Sequence, residues 1–537
     1  MTAPLIDLVP ATLRRAWAAD GTCPDLGLYA LFRAHRVAAP DRPAVVDAAG
    51  VMTYAELDLS VRAAAAGMRA LGVREADVVG VQVPNGRDAV IADLALAALG
   101  AIALPFPAGR SVSEAVSLLG RSGARAVVAA VEHRGAFHAR DLLAAAERLP
   151  ALRTAIAVGP QEVPPGCVPW EHVLSADPVA FVPARPDPDA AARILVSSGS
   201  EAEPKMVAYS HNALAGGRGN FLATLIPDRV PPRCLFLVPL ASAFGSNGTA
   251  VTLARHGGCL VLLEHFSPQA ALAAIREHRP THVLAVPTMI RMMLDRPGTA
   301  PMPPMTALVL GGAELDAATA AEARKVFGCP VVNLYGSADG VNCHGGLGFV
   351  PGQDAGPGVV VGPPDPRVAE IRISPVPGEE FGEIIARGPM TPMCYVGAPE
   401  LNQRYRTAEG WVRTGDLGTI DETGCLRLVG RLKQVVIRGG ANISLAEVER
   451  AVATHPGVRE AVCLGVPDAV MGERLGACVV LRAGHELTLD DLAAHLTGQG
   501  LDRGKHPEHL LLIERMPLTP AGKPDRDALR ALLPRSA

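Results

Sequence analysis

The stretch ARILVSSGSEAEPKMVAYSH, residues 192–211, decides the fold more than any other. Its apolar first half predicts a buried strand that runs into a polar loop. The loop is not the common phosphate loop, because Pro204 precedes its lysine and Met206 follows it. Hydroxyls, a glycine and an ammonium nevertheless suit a phosphate group, although alone they are better interpreted as a solvated serine-rich turn. The phosphate-binding candidates are Ser197, Ser198, Gly199, Ser200 and Lys205.

Outward from this loop, helical and strand patterns alternate from about residue 27 to 430. AELDLSVRAAAAGMRALG (55–72) precedes the apolar run DVVGVQVP (77–84), and PQAALAAIREHRP (268–280) precedes THVLAVP (281–287). This alternation predicts parallel sheets covered by helices. The run TALVLGG (306–312) predicts a buried strand, and ligands bind at the carboxyl ends of such strands.

The pattern changes near residue 375. Short β-like runs separated by glycine and aspartate extend to about 430 and predict a small β-barrel-like subdomain. Beyond Lys433 the pattern is one of alternating strands and one helix, SLAEVERAVATHP (444–456). The sequence therefore predicts an α/β N-terminal domain over 1–432 and a small α+β C-terminal domain over 433–537.

Composition excludes several classes of protein. The 537 residues are too many for one hydrophobic core, and 50 Lys and Arg against 54 Asp and Glu leave no basic excess for nucleic acid. The ten cysteines form no CxxC pair, which indicates reduced thiols in the cytoplasm. The most apolar run, residues 89–106, contains an aspartate and a proline and predicts a buried helix followed by a strand rather than a membrane span. Association as a homodimer is left open.

Four more loops carry polar chemistry in a fixed order. They are NLYGSADG (333–340), RTGDLG (413–418), GRLKQVVIRGGANISLAEVE (430–449) and PLTPAGKPDRDAL (517–529). Taken alone, each of these loops would be interpreted as a surface turn. Together with the 197–205 loop they form a combination that is hard to explain as turns.

This combination resembles the adenylate-forming enzymes, which include acyl-CoA synthetases, adenylation domains of peptide synthetases and firefly luciferase. The resemblance covers nearly the whole chain, from MTYAEL (52–57) to PLTPAGKPDR (517–526). It implies a two-step reaction that uses ATP and Mg²⁺. A carboxylate displaces pyrophosphate to give acyl-AMP, and a thiol of coenzyme A or a carrier protein then displaces AMP.

The resemblance also implies roles for individual residues. Lys523 would bridge the carboxylate and the α-phosphate, and Asp339 would hold Mg²⁺. The C-terminal domain would swing about Lys433, withdrawing Lys523 and bringing the RGGANI loop to the thiol. The adenine candidates are Gly312, Ala313, Glu314, Asn333 and Tyr335, the ribose candidates are Asp416 and Arg431, and the thiol-channel candidates are Gly439 and Gly440.

The chain departs from the family pattern within the phosphate and metal loops. Ala202 and Met206 replace small residues, and a different loop path is expected if either position needs a positive φ. Ala338 replaces a threonine whose hydroxyl contacts phosphate, and Ser337 is the expected substitute. Asp339 is one methylene shorter than the usual glutamate, so an extra water is expected to complete the Mg²⁺ shell.

The acid pocket is expected around PLASAFGSNGT (239–249). No acidic residue lies there to pair with a substrate ammonium, which argues against an α-amino acid. The mostly small pocket residues indicate room for a bulky or extended apolar biosynthetic acid, or else simple backbone requirements. The candidates are Phe244, Gly245, Gly311, Gly336, Ala338 and Gly345.

We therefore expect an AMP-forming acyl-CoA synthetase. Two alternatives stay open. One is an enzyme that stops at acyl-AMP or transfers the acyl group to a separate carrier protein. The other is a degenerate, non-catalytic binder of nucleotide or acyl ligand, which the substitutions Ala202, Met206 and Ala338 would explain.

Overall fold

The computed structural model describes residues 5–197, 204–296, 301–350, 358–376, 380–438, 441–468, 471–499, 501, 503–519 and 523–533. Three predicted site positions, Ser198, Gly199 and Ser200, lie outside the described residues, as do Ala202, Gly439 and Gly440. The side chain of Lys433 also lies outside them.

Helices and strands alternate as the sequence predicts. The α-helices are α1 Ala11–Ala19, α2 Leu28–Ala38, α3 Tyr54–Ala70, α4 Arg87–Leu99, α5 Val112–Ser122, α6 His138–Ala144, α7 Trp170–Leu174, α8 Gly219–Ala223, α9 Pro268–His278, α10 Pro287–Leu294, α11 Ala317–Phe327, α12 Pro399–Tyr405, α13 Leu445–Ala453, α14 Leu489–Gly498 and α15 Arg526–Leu532. Two π-helical segments are Ala213–Arg218 and Gly248–Arg255, and the 3₁₀ turns are Ala146–Arg148, Pro227–Arg229, Gly245–Asn247, Leu432–Gln434 and Arg503–Lys505.

The strands, in chain order, are β1 Pro43–Asp47, β2 Gly50–Thr53, β3 Val78–Gln82, β4 Ile102–Pro105, β5 Ala126–Ala130, β6 Thr154–Val158, β7 Val168–Pro169, β8 Ala191–Val196, β9 Met206–Ser210, β10 Arg233–Phe236, β11 Cys259–Leu262, β12 His282–Ala285, β13 Ala307–Gly311, β14 Val331–Ser337, β15 Val341–Cys343, β16 Val359–Gly362, β17 Glu370–Pro375, β18 Gly382–Arg387, β19 Cys394–Tyr395, β20 Val412–Ile420, β21 Leu426–Arg431, β22 Val435–Arg438, β23 Ala441–Ser444, β24 Val458–Asp468, β25 Gly472–Leu481 and β26 His509–Leu512.

Two largely parallel sheets carry the N-terminal fold. One has the order β15-β14-β13-β12-β10-β11-β1-β2, and the other β19-β9-β8-β4-β3-β5-β6-β7. Their central strands are apolar and fully buried, as expected for strands covered by helices on both faces. The run over 89–106 forms α4 and β4, as predicted, and no helix among the described residues is both long and apolar enough to cross a membrane.

The chain forms two compact units. The first comprises 1–350, 363–371 and 386–413, and the second comprises 351–362, 372–385 and 414–537. The five-stranded sheet β16-β21-β20-β18-β17 falls largely in the second unit, so residues 414–432 group with the C-terminal part and not with the expected 1–432 domain. The two parts of this unit are in contact, since the Ser444 hydroxyl that caps α13 also donates to the Val429 carbonyl in β21.

The C-terminal part is richer in helix than the pattern predicts. The expectation of one helix was wrong, since α14 and α15 accompany α13 around the sheet β23-β22-β25-β24 with β26. A signal for α14 was present: Thr488 and Asp491 form a capping box at its start. For α15, the Asp525 carboxylate accepts from the first-turn amides of Asp527 and Ala528.

Candidate active site

The phosphate loop is closed at its base by a pair of hydrogen bonds. The Ser197 amide donates to the Lys205 carbonyl at 2.9 Å, and the Lys205 amide donates to the Ser197 hydroxyl at 3.1 Å. Arg121 stabilises the same end of the loop by donating a hydrogen bond to the Pro204 carbonyl at 2.7 Å. Met206 begins β9 without a positive φ, so this departure from the family pattern requires no unusual backbone.

Lys205 and Asp339 form the charged centre of the first unit. The Lys205 ammonium lies 3.6 Å from the Asp339 carboxylate, and the two side chains are only 12% and 9% exposed. The Tyr395 hydroxyl donates to Asp339 Oδ1 at 2.7 Å, and the Ser337 hydroxyl donates to Oδ2 at 2.8 Å. The Tyr405 ring centre lies 4.3 Å from the Lys205 ammonium and adds a cation–π contact.

The Ser337 hydroxyl, the expected substitute for the missing threonine hydroxyl, donates to the Asp339 carboxylate in this structure. Burial, together with the charge of Asp339, raises the pKa of Tyr395 well above its usual range, so this phenol stays a hydrogen-bond donor. Asp339 is thereby fixed in position by two hydroxyls and one ammonium.

Asp339 has the chemistry that a Mg²⁺ ion bound to a nucleotide requires. Such ions take one or two protein carboxylates and obtain their remaining ligands from phosphates and water. The described residues contain no group of three or more His, Cys, Asp or Glu that would hold a metal without a nucleotide. The donor set around Asp339 therefore fits a Mg²⁺ that arrives with ATP.

For the adenylation that the resemblance implies, we predict that Tyr395→Phe lowers the rate about tenfold, because a hydrogen bond to a charged group contributes about 1.5–3 kcal/mol. The measurement is ATP–pyrophosphate exchange as a function of Mg²⁺ concentration. Tyr29→Phe is a matched control, since the Tyr29 hydroxyl donates to the buried Asp58 at the same 2.7 Å distance. Equal losses of exchange in both variants would contradict a specific effect at Asp339.

The adenine candidates lie together at the carboxyl edge of the first sheet. Strands β13 and β14 are parallel, with Leu310 opposite Asn333 and Gly311 opposite Leu334. The exposed segment 312–314 therefore follows β13 beside residues 333–335. Gly312 has φ 82°, a conformation that favours glycine. The arrangement offers an open edge on which a planar base can lie.

The glycines of the expected acid pocket reflect close packing rather than open space. A methyl group at Gly245 would overlap the Pro239 carbonyl oxygen, and one at Gly311 would lie 2.9 Å from the Leu334 carbonyl oxygen. A methyl group at Gly345 would overlap the Phe349 ring. Close packing therefore accounts for glycine at these three positions. Gly345 nevertheless lies on the wall of a cavity of about 280 Å³ in the first unit.

Arg218 is a site residue that sequence reasoning missed. Its buried guanidinium donates to the Ala243 carbonyl at 2.8 Å and to the Ser246 hydroxyl at 3.0 Å, and lies 5.1 Å from the Tyr209 ring centre. The Tyr209 hydroxyl in turn donates to the Ala338 carbonyl. Arg218 thus links segment 239–249 to the Ala338 turn, and no ion pair joins it to a carboxylate within the described ranges. Arg218 belongs to no recognisable sequence motif, because the π-helical segment that contains it has no repeating pattern.

In the second unit, Asp416 and Arg431 face each other across β20 and β21. Their side chains form an ion pair at 2.7 Å, and Asp416 is 4% exposed. The Thr414 hydroxyl donates to the Ile384 carbonyl and accepts the Asp416 amide at 3.1 Å, which fixes the RTGDLG turn. Gly415 has φ 72° and is required there. A buried carboxylate held in this way suits a pair of ribose hydroxyls.

Lys523 lies within electrostatic range of this pair. Its pKa is lowered to about 8, mainly by burial and also by the Arg431 guanidinium, against the opposing effect of the Asp416 carboxylate. Hydrogen bonds from the Thr519 amide to the Lys523 carbonyl and from the Lys523 amide to the Thr519 hydroxyl close its loop. The structure therefore brings three predicted residues of separate motifs, Asp416, Arg431 and Lys523, into one cluster.

The order of these motifs along the chain is the one that the resemblance to adenylate-forming enzymes predicts. The AMP-binding enzyme family model matches residues 32–396, and the AMP-binding enzyme C-terminal domain model matches residues 447–523. The chain belongs to the AMP-binding, adenylate-forming enzyme family.

Known proteins similar to this chain support that assignment. Triostin synthetase I of Streptomyces triostinicus is 34% identical over 93% of this chain and 92% of its own length. The 2-hydroxy-7-methoxy-5-methyl-1-naphthoate–CoA ligase of Streptomyces carzinostaticus is 32% identical over 94% and 92%. The amide bond synthetase McbA of Marinactinospora thermotolerans superposes with a TM-score of 0.79 at 28% identity, covering 94% of this chain and 99% of McbA. Relatives include coenzyme A ligases, aryl-AMP ligases and synthetases that act on carrier proteins. Coenzyme A ligases of this family use ATP, Mg²⁺ and coenzyme A.

Proposed function

We propose that this enzyme is an acid–thiol ligase that converts a bulky aromatic carboxylic acid to its acyl-AMP and then to the coenzyme A thioester. The observation that carries the proposal is the cluster of Lys523, Asp416 and Arg431. An ammonium close to a carboxylate that binds the ribose is well placed to contact the α-phosphate of the same nucleotide. The preference for an aromatic acid is supported by the naphthoate ligase among its relatives.

In the first step, the acid's carboxylate oxygen attacks the α-phosphorus of ATP and pyrophosphate leaves. Lys523 neutralises charge that develops between the carboxylate and the α-phosphate, and Asp416 accepts hydrogen bonds from the ribose. Lys205 holds the phosphate side, with Ser197, Ser198, Gly199 and Ser200 as further donors, and Asp339 would hold the Mg²⁺ that accompanies ATP. Mg²⁺, when bound, neutralises phosphate charge. The adenine lies against Gly312, Ala313, Glu314, Asn333 and Tyr335.

In the second step, a thiol displaces AMP from the acyl group. We retain Lys433 as the hinge and Gly439 and Gly440 as the thiol-channel residues. A separate carrier protein is the second candidate acceptor, since relatives of both kinds occur. The acid is not an α-amino acid, because the Arg218 guanidinium lies against Ala243 and Ser246 in a segment without a carboxylate, and a substrate ammonium would be repelled there.

The proposal is tested by ATP–pyrophosphate exchange with Mg²⁺ against aliphatic, monocyclic aromatic and bicyclic aromatic acids. We expect exchange that depends on the acid and is strongest for bicyclic aromatic acids. Adding coenzyme A should then give a thioester, and a phosphopantetheinylated carrier protein is the competing acceptor. Folded, ATP-binding protein without exchange for any acid would contradict the proposal and favour a non-catalytic binder.

A further inference from the structure

Lys523 belongs to a short segment, residues 517–519 and 523–525, that is called the lysine hairpin below. Leu518 pairs with Pro524 in an antiparallel bridge, and Thr519 and Lys523 exchange two hydrogen bonds at 2.7 and 3.3 Å. These bonds join the two arms of the hairpin to each other. Because an isolated hairpin is marginally stable at best, the position of the Lys523 ammonium depends on what holds the base of the hairpin.

The base of the lysine hairpin is held by Arg526, the residue that follows it and begins α15. One guanidinium nitrogen of Arg526 donates to the Cys463 carbonyl at 2.7 Å, and another donates to Glu449 Oε1 at 2.6 Å. The Cys463 amide donates to the same Glu449 oxygen at 2.7 Å. Charge-assisted hydrogen bonds of this kind are among the strong ones. Arg526 is therefore fixed both to strand β24 and to a carboxylate of helix α13.

This ion pair differs from an ion pair that α15 forms at its surface. The side chains of Arg526 and Glu449 are 25% and 20% exposed, whereas those of Arg530 and Asp527 are 53% and 91% exposed. Exposed pairs contribute little to stability, but removal of one partner from a largely buried pair leaves the other without its counter-charge. Arg526 is thus suited to restrain the chain three residues after Lys523.

We propose that Arg526 is a positioning residue for adenylation, because its bonds to Glu449 and Cys463 fix the base of the lysine hairpin and hold the Lys523 ammonium in place. This inference rests on the proposed function, since Lys523 is the group that would contact the α-phosphate. Arg526 acts through the hairpin and not by contact with nucleotide or acid. A misplacement of about 1 Å can cost about 10²-fold in rate, so a loosened hairpin should slow the first step.

The position of the hairpin can be measured on Lys523 itself, without any substrate. Burial is the main cause of the lowered pKa of Lys523, which is about 8. Arg526→Met should let water reach the ammonium and raise its pKa towards the roughly 10.4 of a free lysine. The chain has only five lysines, so mass spectrometry can follow each one separately. The probe is acetic anhydride, which reacts with the neutral amine, supplied in trace amounts over a range of pH.

We expect the labelling midpoint of Lys523 to move to higher pH in Arg526→Met. Arg526→Lys, which keeps a positive charge at this position, should restore much of the wild-type behaviour. Arg530→Met is the matched control on the same helix and should leave the midpoint unchanged. The labelling curve of Lys505, which pairs with Glu447 on α13, should be the same in all of these proteins and reports that the second unit is folded.

The kinetic counterpart is ATP–pyrophosphate exchange. Arg526→Met should lower kcat about tenfold with little change in the KM for ATP, and the decline of kcat/KM at alkaline pH should move to higher pH. A role in stability alone would lower the amount of active enzyme without moving the pH profile. Thiolysis of separately supplied acyl-AMP should persist, because the second step does not use Lys523.

The outcomes separate this inference from the proposed function. An unchanged labelling midpoint for Lys523 in Arg526→Met would overturn the positioning role. Equal changes in the curves of Lys523 and Lys505 would also overturn it, because Arg526 would then hold the whole unit together and not the hairpin. A wild type without exchange for any acid would overturn the proposed function, whereas the labelling curves would still decide whether Arg526 positions Lys523.

Discussion

Lys523→Ala is expected to lower the rate of acyl-AMP formation by about 10²–10³-fold, the usual effect of removing one preorganised donor at a developing charge. The ammonium lies beside Asp416 and Arg431, and no other lysine in the described part of the second unit shares that position. ATP binding should change far less, because Asp416 and the phosphate-side residues remain. The measurement is ATP–pyrophosphate exchange, paired with ATP affinity determined by calorimetry.

Two comparisons make this prediction specific. Thiolysis of separately supplied acyl-AMP should survive in Lys523→Ala, because the second step does not use the lysine. Lys505→Ala, which removes a lysine paired with Glu447 at 2.7 Å elsewhere in the same unit, should leave exchange near the wild-type rate. Full exchange in Lys523→Ala would remove Lys523 from the mechanism.

The lowered pKa of Lys523 gives the same residue a pH signature. The competent form is the ammonium, which is protonated below pH 8 and loses its proton as the pH rises through a pKa of about 8. The value of kcat/KM for adenylation, which reports the free enzyme, should therefore fall about tenfold per pH unit above 8. Lys523→Arg should abolish this decline, since arginine stays charged.

Asp416→Asn is expected to raise the KM for ATP by about 10²-fold. A buried carboxylate that accepts from ribose hydroxyls makes charge-assisted bonds of about 1.5–3 kcal/mol each, and the amide cannot replace both. The variant also leaves Arg431 without its counter-charge and removes the group that raises the pKa of Lys523. The alkaline decline in adenylation should therefore move to lower pH.

The nucleotide itself supplies the sharpest measurement for Asp416. Wild type should prefer ATP over 2′-deoxy-ATP by about tenfold or more, and Asp416→Asn should lose that preference. Asp421→Asn is the matched control, because Asp421 pairs with Arg427 at 3.2 Å on the same β20–β21 hairpin. If Asp421→Asn raised the KM for ATP as much as Asp416→Asn, general damage to the hairpin and not ribose binding would be responsible.

The sequence was most informative for motifs whose functional residues are neighbours along the chain. The loop ending at Lys205, the RTGDLG turn with Asp416 and the PAGK segment with Lys523 were recognisable because each carries its charged residue beside the glycine or proline that shapes the turn. The order of these motifs predicted the family, which the family models confirm. The predictions of individual site roles remain to be tested by the variants above.

The sequence was least informative where the answer depends on packing. The small residues of the acid pocket suggested space, but Gly245 is glycine because the Pro239 carbonyl oxygen occupies the position of a side chain. The hydrogen bond from the Ser337 hydroxyl to Asp339 was not visible in the sequence. The predicted domain boundary near Lys433 was based on a change in the residue pattern along the chain. The contacts in the folded structure instead place residues 414–432 in the C-terminal unit.

By itself, the sequence determined the α/β alternation, the order of the motifs and the charged groups that an adenylating enzyme needs. Only the tertiary structure decided which groups meet: Tyr395 reaches Asp339 across 56 residues, Lys523 comes within electrostatic range of Asp416 and Arg431, and the buried Nδ2 group of Asn342 has no partner among the described residues. Periodicity records which face of an element is buried, but hydrogen-bond partners and unmet donors depend on distances set when remote segments pack together.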